Sequence, residues 1–184
     1  LNLPNIYDFL TYHKNNGGIS AKKKFSYYKK FINPNCIYDA NFLENQFRSV
    51  VKKKLEKYGY DFFFDKIDKG KDFIFHIISG VFKKEIFNFL KNKKIDKFFN
   101  QGLILGGENS KRKNFEILLN KYQVKPLCYL GDSYNDFLIA QYFKIDFYFI
   151  SQWTESQNWQ DWTTKKKVST YHNLTKFFND NFNI

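Results

Sequence analysis

The sequence predicts an α/β fold: an all-helical segment over residues 1–66, followed over 67–184 by a parallel sheet with crossover helices. Three observations predict it. Up to about residue 65, apolar residues recur only at helical spacing. Beyond about residue 70, short apolar runs rich in β-branched and aromatic residues alternate with helical segments. The connections between them are short, which favours neighbouring parallel strands. The 184 residues, 43% of them hydrophobic, suffice for one ordinary domain or one domain carrying a small insertion.

The helical segment divides at its breakers. Ile6, Phe9, Leu10 and His13 share one face of a helix over 5–14, and Asn15-Asn16-Gly17-Gly18 stops it. Ser20 is placed to cap a second helix with Phe25, Tyr28 and Phe31 on one side, ending near Asn33-Pro34-Asn35. Asn41-Phe42-Leu43-Glu44 has capping-box spacing before a third helix. Its apolar face is Leu43, Phe47, Val50, Val51 and Leu55, and Gly59 suits its C′ position. The first strand is read over 72–79, an apolar run suited to burial on both faces. A helix over 81–93 follows, then strand 102–105, helix 111–122, strand 127–130, helix 135–143, strand 146–150 and a closing helix over 173–182. This alternation reads as a Rossmann-like sheet.

Composition excludes several classes. With 21% aromatic residues the chain is no disordered polar tail, and 9 Gly with 3 Pro exclude collagen-like or linker sequence. No apolar run approaches the ~20 residues that span a bilayer, and no signal peptide is visible at the start. Cys36 and Cys128 are too few for a disulfide framework, so a reducing, cytoplasmic setting is expected. The net charge of +12 suggests a polyanion partner, but Arg48 and Arg112 are the only arginines among 30 basic residues. Arg is the residue suited to bidentate phosphate and base contacts, and the lysines are scattered. A solvated Lys-rich surface is therefore favoured over a nucleic-acid site.

Ligands of open parallel sheets bind beyond the carboxyl ends of the strands. The residues there are Ser79-Gly80, the loop 106–113, Gly131-Asp132-Ser133-Tyr134-Asn135-Asp136, and Ser151 onward. Asp132 ends a strand and Asp136 lies in the first turn of the next helix, a spacing that can aim both carboxylates at one point. Such a pair leaves room for the water and substrate oxygens that Mg²⁺ takes; the same pair also suits a helix cap and dipole. Ser79 and the amides around Gly80 suit an anionic oxygen, or a plain N-cap. Lys111 and Lys113 open a helix, where a cation opposes the dipole unless an anion meets it. His76 reads as a core or surface histidine, Cys128 as a strand residue, and Trp153, Trp159 and Trp162 as packing over the sheet or edging a site.

In this order, Ile77-Ile78-Ser79-Gly80, Lys111, and Tyr129-Leu130-Gly131-Asp132-Ser133-Tyr134-Asn135-Asp136 with Ala140 resemble motifs II, III and IV of the haloacid dehalogenase-like hydrolases. Val124-Lys125-Pro126 is similar to the family's usual connection, and counting back from it favours Lys111 over Lys113. The resemblance covers about residues 70–150. It implies a Mg²⁺-dependent phosphomonoester hydrolase acting on a small phosphorylated metabolite through an aspartyl-phosphate. Ser79, Gly80 and Lys111 would bind phosphate, Asp132 and Asp136 would serve the metal, and the helical segment would be a substrate-selecting cap.

One motif of that family is absent: the apolar strand ending in Asp-x-Asp that carries the nucleophile. Asp8 has no partner two residues on, and Asp65 and Asp68 are three apart and too near Ser79 in sequence. The chain lacks Met and begins with Leu, so the first strand is expected upstream of Leu1, leaving a central sheet position open. The alternative is a catalytically inactive relative that binds nucleic acid or another polyanion through its basic surface. Dehalogenation is disfavoured because it leaves the acidic pair unexplained.

Overall fold

The structure, a computed structural model, describes residues 3–17, 19–55, 59, 63–67 and 73–183. The expected strand start at Asp72, and Asp68, lie outside the described residues.

The N-terminal segment is helical, as its periodicity predicts. Helix α1 (Ile6–Asn15) buries Phe9, and α2 (Ala21–Tyr27) runs into a π-helical turn over Tyr28–Ile32. Helix α3 (Ala40–Leu55) completes a small core of Phe9, Phe25, Tyr28 and Leu43. Within it the buried Tyr28 hydroxyl donates to the Pro4 carbonyl at 2.8 Å and accepts from the Asn33 amide at 3.0 Å. A phenol can be buried only with such partners. Two caps differ from expectation. Ser20 precedes α2 but makes no side-chain cap bond. Helix α3 begins ahead of the Asn41–Glu44 box, because Asp39 Oδ1 accepts the Phe42 amide at 2.7 Å and stops the fraying there.

The rest alternates strand and helix. After α4 (Phe63–Lys66) come β1 (Ile77–Ile78), α5 (Lys83–Asn92), a 3₁₀ turn over Asp96–Phe99, β2 (Ile104–Leu105), α6 (Lys111–Tyr122) and β3 (Tyr129–Gly131). Then follow α7 (Tyr134–Phe143), β4 (Phe147–Ile150), α8 (Trp159–Lys165), β5 (Thr170–Tyr171) and α9 (Leu174–Phe182). Every strand pairing among the described residues is parallel. Helix α8 and strand β5 were not expected. Trp159 and Trp162 lie three residues apart and pack together on Phe149, which is a helical signal inside a polar stretch. Strand β5 is two residues long and carries no apolar run.

The strands form two sheets, β1-β2 and β3-β4-β5, instead of one. The break has a definite shape. The Ile77 and Ser79 amides donate to Leu103 and Leu105 at 2.8 and 3.0 Å, so the backbone of Ile78 faces away from β2. The Tyr129 amide donates to Asp146 at 2.7 Å, so the backbone of Leu130 faces away from β4. Residues 73–78 and 124–130 line one apolar cavity of about 510 Å³, closed by side chains that include Phe63, Phe115 and Phe178. Ile74 and Leu127, both on this cavity, are 49% and 69% exposed.

Candidate functional site

The turn after β1 and the loop after β2 are packed backbone to backbone. A Cβ on Gly107 would come within 2.2 Å of the Gly80 carbonyl oxygen, so only glycine permits this approach. The Gly107 amide donates to the Val81 carbonyl at 2.9 Å, and the buried Asn114 amide holds the Gly106 carbonyl at 2.8 Å. Ser79 turns its hydroxyl back to accept the Val81 amide at 3.1 Å. Ser110 caps α6 by accepting the Lys113 amide at 3.2 Å, which fixes Lys111 as the first helical residue.

Lys111 and Lys113 then part. Lys111 points inward, with a side chain 11% exposed and its Nζ 2.5 Å from Asp136 Oδ1. Lys113 points outward, 59% exposed, and pairs with Glu116 on its own helix at 3.3 Å. Asp136 explains why a lysine opens a helix against the dipole: its carboxylate meets that charge.

Asp136 is the hub of the site. Besides Lys111, Oδ1 accepts from the Tyr129 hydroxyl at 2.5 Å, and Oδ2 accepts from the Ser133 hydroxyl at 2.6 Å. Burial, followed by the Asp136 charge, drives the Tyr129 phenol well above its usual range, so it stays a donor. Gly131 lets Asp136 approach, because a Cβ there would be 2.6 Å from Asp136 Cβ. Three donors take three of the carboxylate's roughly four acceptor positions, and they make Asp136 the anchor of Lys111.

Asp132 is different. It is exposed and lines a cleft, and its main chain is tied to the loop after β4, where the Thr154 hydroxyl donates to its carbonyl at 2.6 Å. Crowding by protein atoms, then the neighbouring Asp136 charge, push its carboxyl up to about 6, while Lys111 and a backbone hydrogen bond oppose the rise. The exposed surface shows that this is a recessed group in contact with water, not a sealed one. A carboxylate with surplus negative charge beside it suits a cation. Among the described residues no group of three or more His, Cys, Asp or Glu forms a metal cage. The expected pair, Asp132 and Asp136, would therefore fit Mg²⁺ only with further oxygens from water, substrate or another segment.

The cleft, about 480 Å³, lies between the N-terminal helices and the strand ends. Gly80, Asp132 and Asn135 line one side, and His13, Asn16, Lys24 and Phe47 the other. One hydrogen bond and one ion pair hold the sides together. His13 Nε2 lies 3.1 Å from Glu155 Oε2, and Arg48 contacts Glu85 at 2.7 Å while covering the Phe82 ring at 3.7 Å. The second arginine, Arg112, lies over Tyr142 at 3.9 Å.

The remaining candidates settle as follows. Trp159 and Trp162 pack on Phe149, whereas Trp153, 52% exposed, edges the cleft. His76 accepts the Leu103 amide at 3.0 Å through Nδ1 and has a structural part in joining β1 to β2. Cys128 lines the apolar cavity, where burial pushes its thiol up to about 11. Sequence reasoning missed Lys24 and Glu155. The signal for Lys24 was its place four residues before the buried Tyr28, on the inward face of α2. Comparison of the chain with family models, with curated proteins and with solved structures returns no match. Among the described residues, no helix is long and apolar enough to cross a membrane.

Proposed function

We propose that this chain is the larger part of a Mg²⁺-dependent phosphomonoester hydrolase of the haloacid dehalogenase-like type, with a Rossmann-like core over 67–184 and a helical cap over 1–66. An apolar strand ending in Asp-x-Asp, from outside these residues, would complete it between β1 and β3. The observation that carries this reading is the convergence at one cleft of Gly80, two residues beyond β1, and Asp132, the first residue beyond β3, with Lys111 and Asp136 paired behind them. The break in the sheet supports it too. Two strands turn backbone groups that have no strand partner among the described residues toward one apolar cavity, with Ile74 and Leu127 exposed beside it.

In this reading the chain's own residues have distinct tasks. Ser79 and the amides about Gly80 receive the phosphoryl oxygens. Lys111, oriented by Asp136, neutralises charge on the transferring group. Asp132 holds the metal, which when bound supplies charge neutralisation at the phosphate. The helical segment covers the cleft and excludes water. The substrate is a small phosphorylated metabolite that fits the cleft. The placement of the two arginines, both turned to protein partners, gives no support to a nucleic-acid surface.

The test is complementation. An apolar strand of about ten residues ending in Asp-x-Asp, joined ahead of residue 1, should produce Mg²⁺-dependent hydrolysis of p-nitrophenyl phosphate. Lys111→Met and Asp132→Asn should each remove at least about 99% of it, the effect of losing one well-placed charge at a transition state. Turnover that persists in Asp132→Asn refutes the metal assignment. A strand-extended protein that is folded and inert refutes the hydrolase.

A further inference from the structure

Lys24 is an unusual residue for a helix so rich in lysine. Lys22 and Lys23 face solvent, but Lys24 is only 5% exposed and lines the cleft. Its Nζ donates to the His13 carbonyl at 3.2 Å and lies 3.3 Å from His13 Nδ1. No carboxylate lies within ion-pairing distance of it among the described residues. A buried ammonium is costly unless an anion meets it. Burial lowers its pKa; the Glu155 charge works against that, and the charge of Lys111 adds to it. Lys24 lines the cleft, and Lys111 lies behind it, paired with Asp136.

His13 arranges this group without neutralising it. Its Nε2–H points to Glu155, which leaves Nδ1 free to accept from Lys24. Burial, then the Lys24 charge, hold His13 below its usual pKa, which keeps the ring neutral. Among the described residues, the three ammonium hydrogens find two partners, both on His13, which leaves donor capacity for a molecule in the cleft that Lys24 lines.

We infer that Lys24 is a binding residue for a second anionic oxygen group of the cleft's ligand. The substrate class is then a small phosphate ester that carries a carboxylate or another phosphate at its far end. This rests on the phosphatase reading for the first anionic group, which Lys111 and the Ser79–Gly80 turn receive. Lys24 supplies the opposite pole. A ligand with a single anion leaves it buried and unanswered, and a ligand with two satisfies both lysines at once.

The experiment is equilibrium binding by calorimetry to this chain with Mg²⁺ present, using non-hydrolysable probes. Phosphonoacetate, phosphonopropionate and phosphonobutyrate are compared with ethyl-, propyl- and butylphosphonate, and alkyl bisphosphonates form a third arm. At least one carboxylated or bisphosphonate probe should bind about tenfold or more tightly than its singly charged counterpart, the gain of one charge-assisted bond. Which arm gains most distinguishes a carboxylate from a phosphate. Lys24→Met should abolish that gain, leave alkylphosphonate affinity unchanged and raise the thermal midpoint, since it removes a buried unpaired charge. A merely structural Lys24 would instead lower the midpoint and leave the probe ratio intact. Alkylphosphonates binding with no advantage to doubly charged probes overturns the inference and spares the phosphatase reading. No binding by any probe also overturns the inference, and the phosphatase reading then stands or falls with the strand-complementation test.

Discussion

Asp136→Asn tests the electrostatic centre of the site without removing volume. Asp136 is 1% exposed, and the Lys111 side chain facing it is 11% exposed. The amide keeps the carboxylate's shape, and its oxygen can still accept from Lys111 and the Tyr129 hydroxyl. Its NH₂ then meets Ser133 Oγ, a hydroxyl that can rotate to accept. Steric loss is therefore small, and the cost is the Lys111 charge left without its anion. Removing one partner of a buried pair costs about 3–5 kcal/mol. Retained hydrogen bonding and the residual exposure of Lys111 bring this to roughly 2–4 kcal/mol. Urea unfolding followed by tryptophan fluorescence measures it, since Trp159 and Trp162 pack on Phe149 of the neighbouring strand. The double variant Lys111→Met/Asp136→Asn should recover about 1–3 kcal/mol relative to additivity, because it removes both charges together. Asp132 offers an independent readout. Asp136 raises its carboxyl and Lys111 lowers it, so the single variant should bring that titration down from about 6. A single-variant loss below about 1 kcal/mol, or strict additivity in the cycle, would refute the buried pair.

Two further predictions follow from particular contacts. Gly131→Ala should destabilise by about 1–3 kcal/mol through overpacking, because its Cβ would meet Asp136 Cβ at 2.6 Å and Phe147 Cε2 at 2.9 Å; an unchanged urea midpoint would contradict that approach. His76 accepts the Leu103 amide and its pKa is lowered, chiefly by burial, then by Lys121. The unfolded chain then takes up a proton near pH 6.5 that the folded chain refuses, so stability is fully present above about pH 6.5 and falls below it, by at most about 1.4 kcal/mol per pH unit. His13 titrates in the same sense and Asp132 in the opposite one. The measurement is therefore the difference between wild type and His76→Leu, which should narrow as pH falls from about 7.5 to 5.5. A difference independent of pH would remove His76 from the account.

The elements that were legible in the sequence are those whose core is made by one repeating pattern. Helix α6 falls on its expected bounds because Ser110 caps it and Phe115 and Leu118 lie on its buried face. Strands β3 and β4 lie within a residue or two of their apolar runs. Strand β1 carries a longer apolar run than the two residues that pair. Its run is apolar on both faces, yet among the described residues only one edge has a strand partner. An apolar run records that a strand is to be buried; it does not record which neighbour does the burying.

Charged residues were legible only where they broke a rule. Lys111 opposed a helix dipole and so asked for an anion, and Asp136 proved to be that anion. Lys24 broke no local rule, because lysine is a good helix former and sits among other lysines. What singles it out is burial and its contacts to His13, neither of which the sequence around residue 24 records. The same composition that makes the +12 charge uninformative as a whole hides the one lysine whose surroundings give it work to do. A functional cation in such a chain is therefore recognised by the desolvation it bears without a paired carboxylate, and among the described residues Lys24 is the one buried lysine in that position.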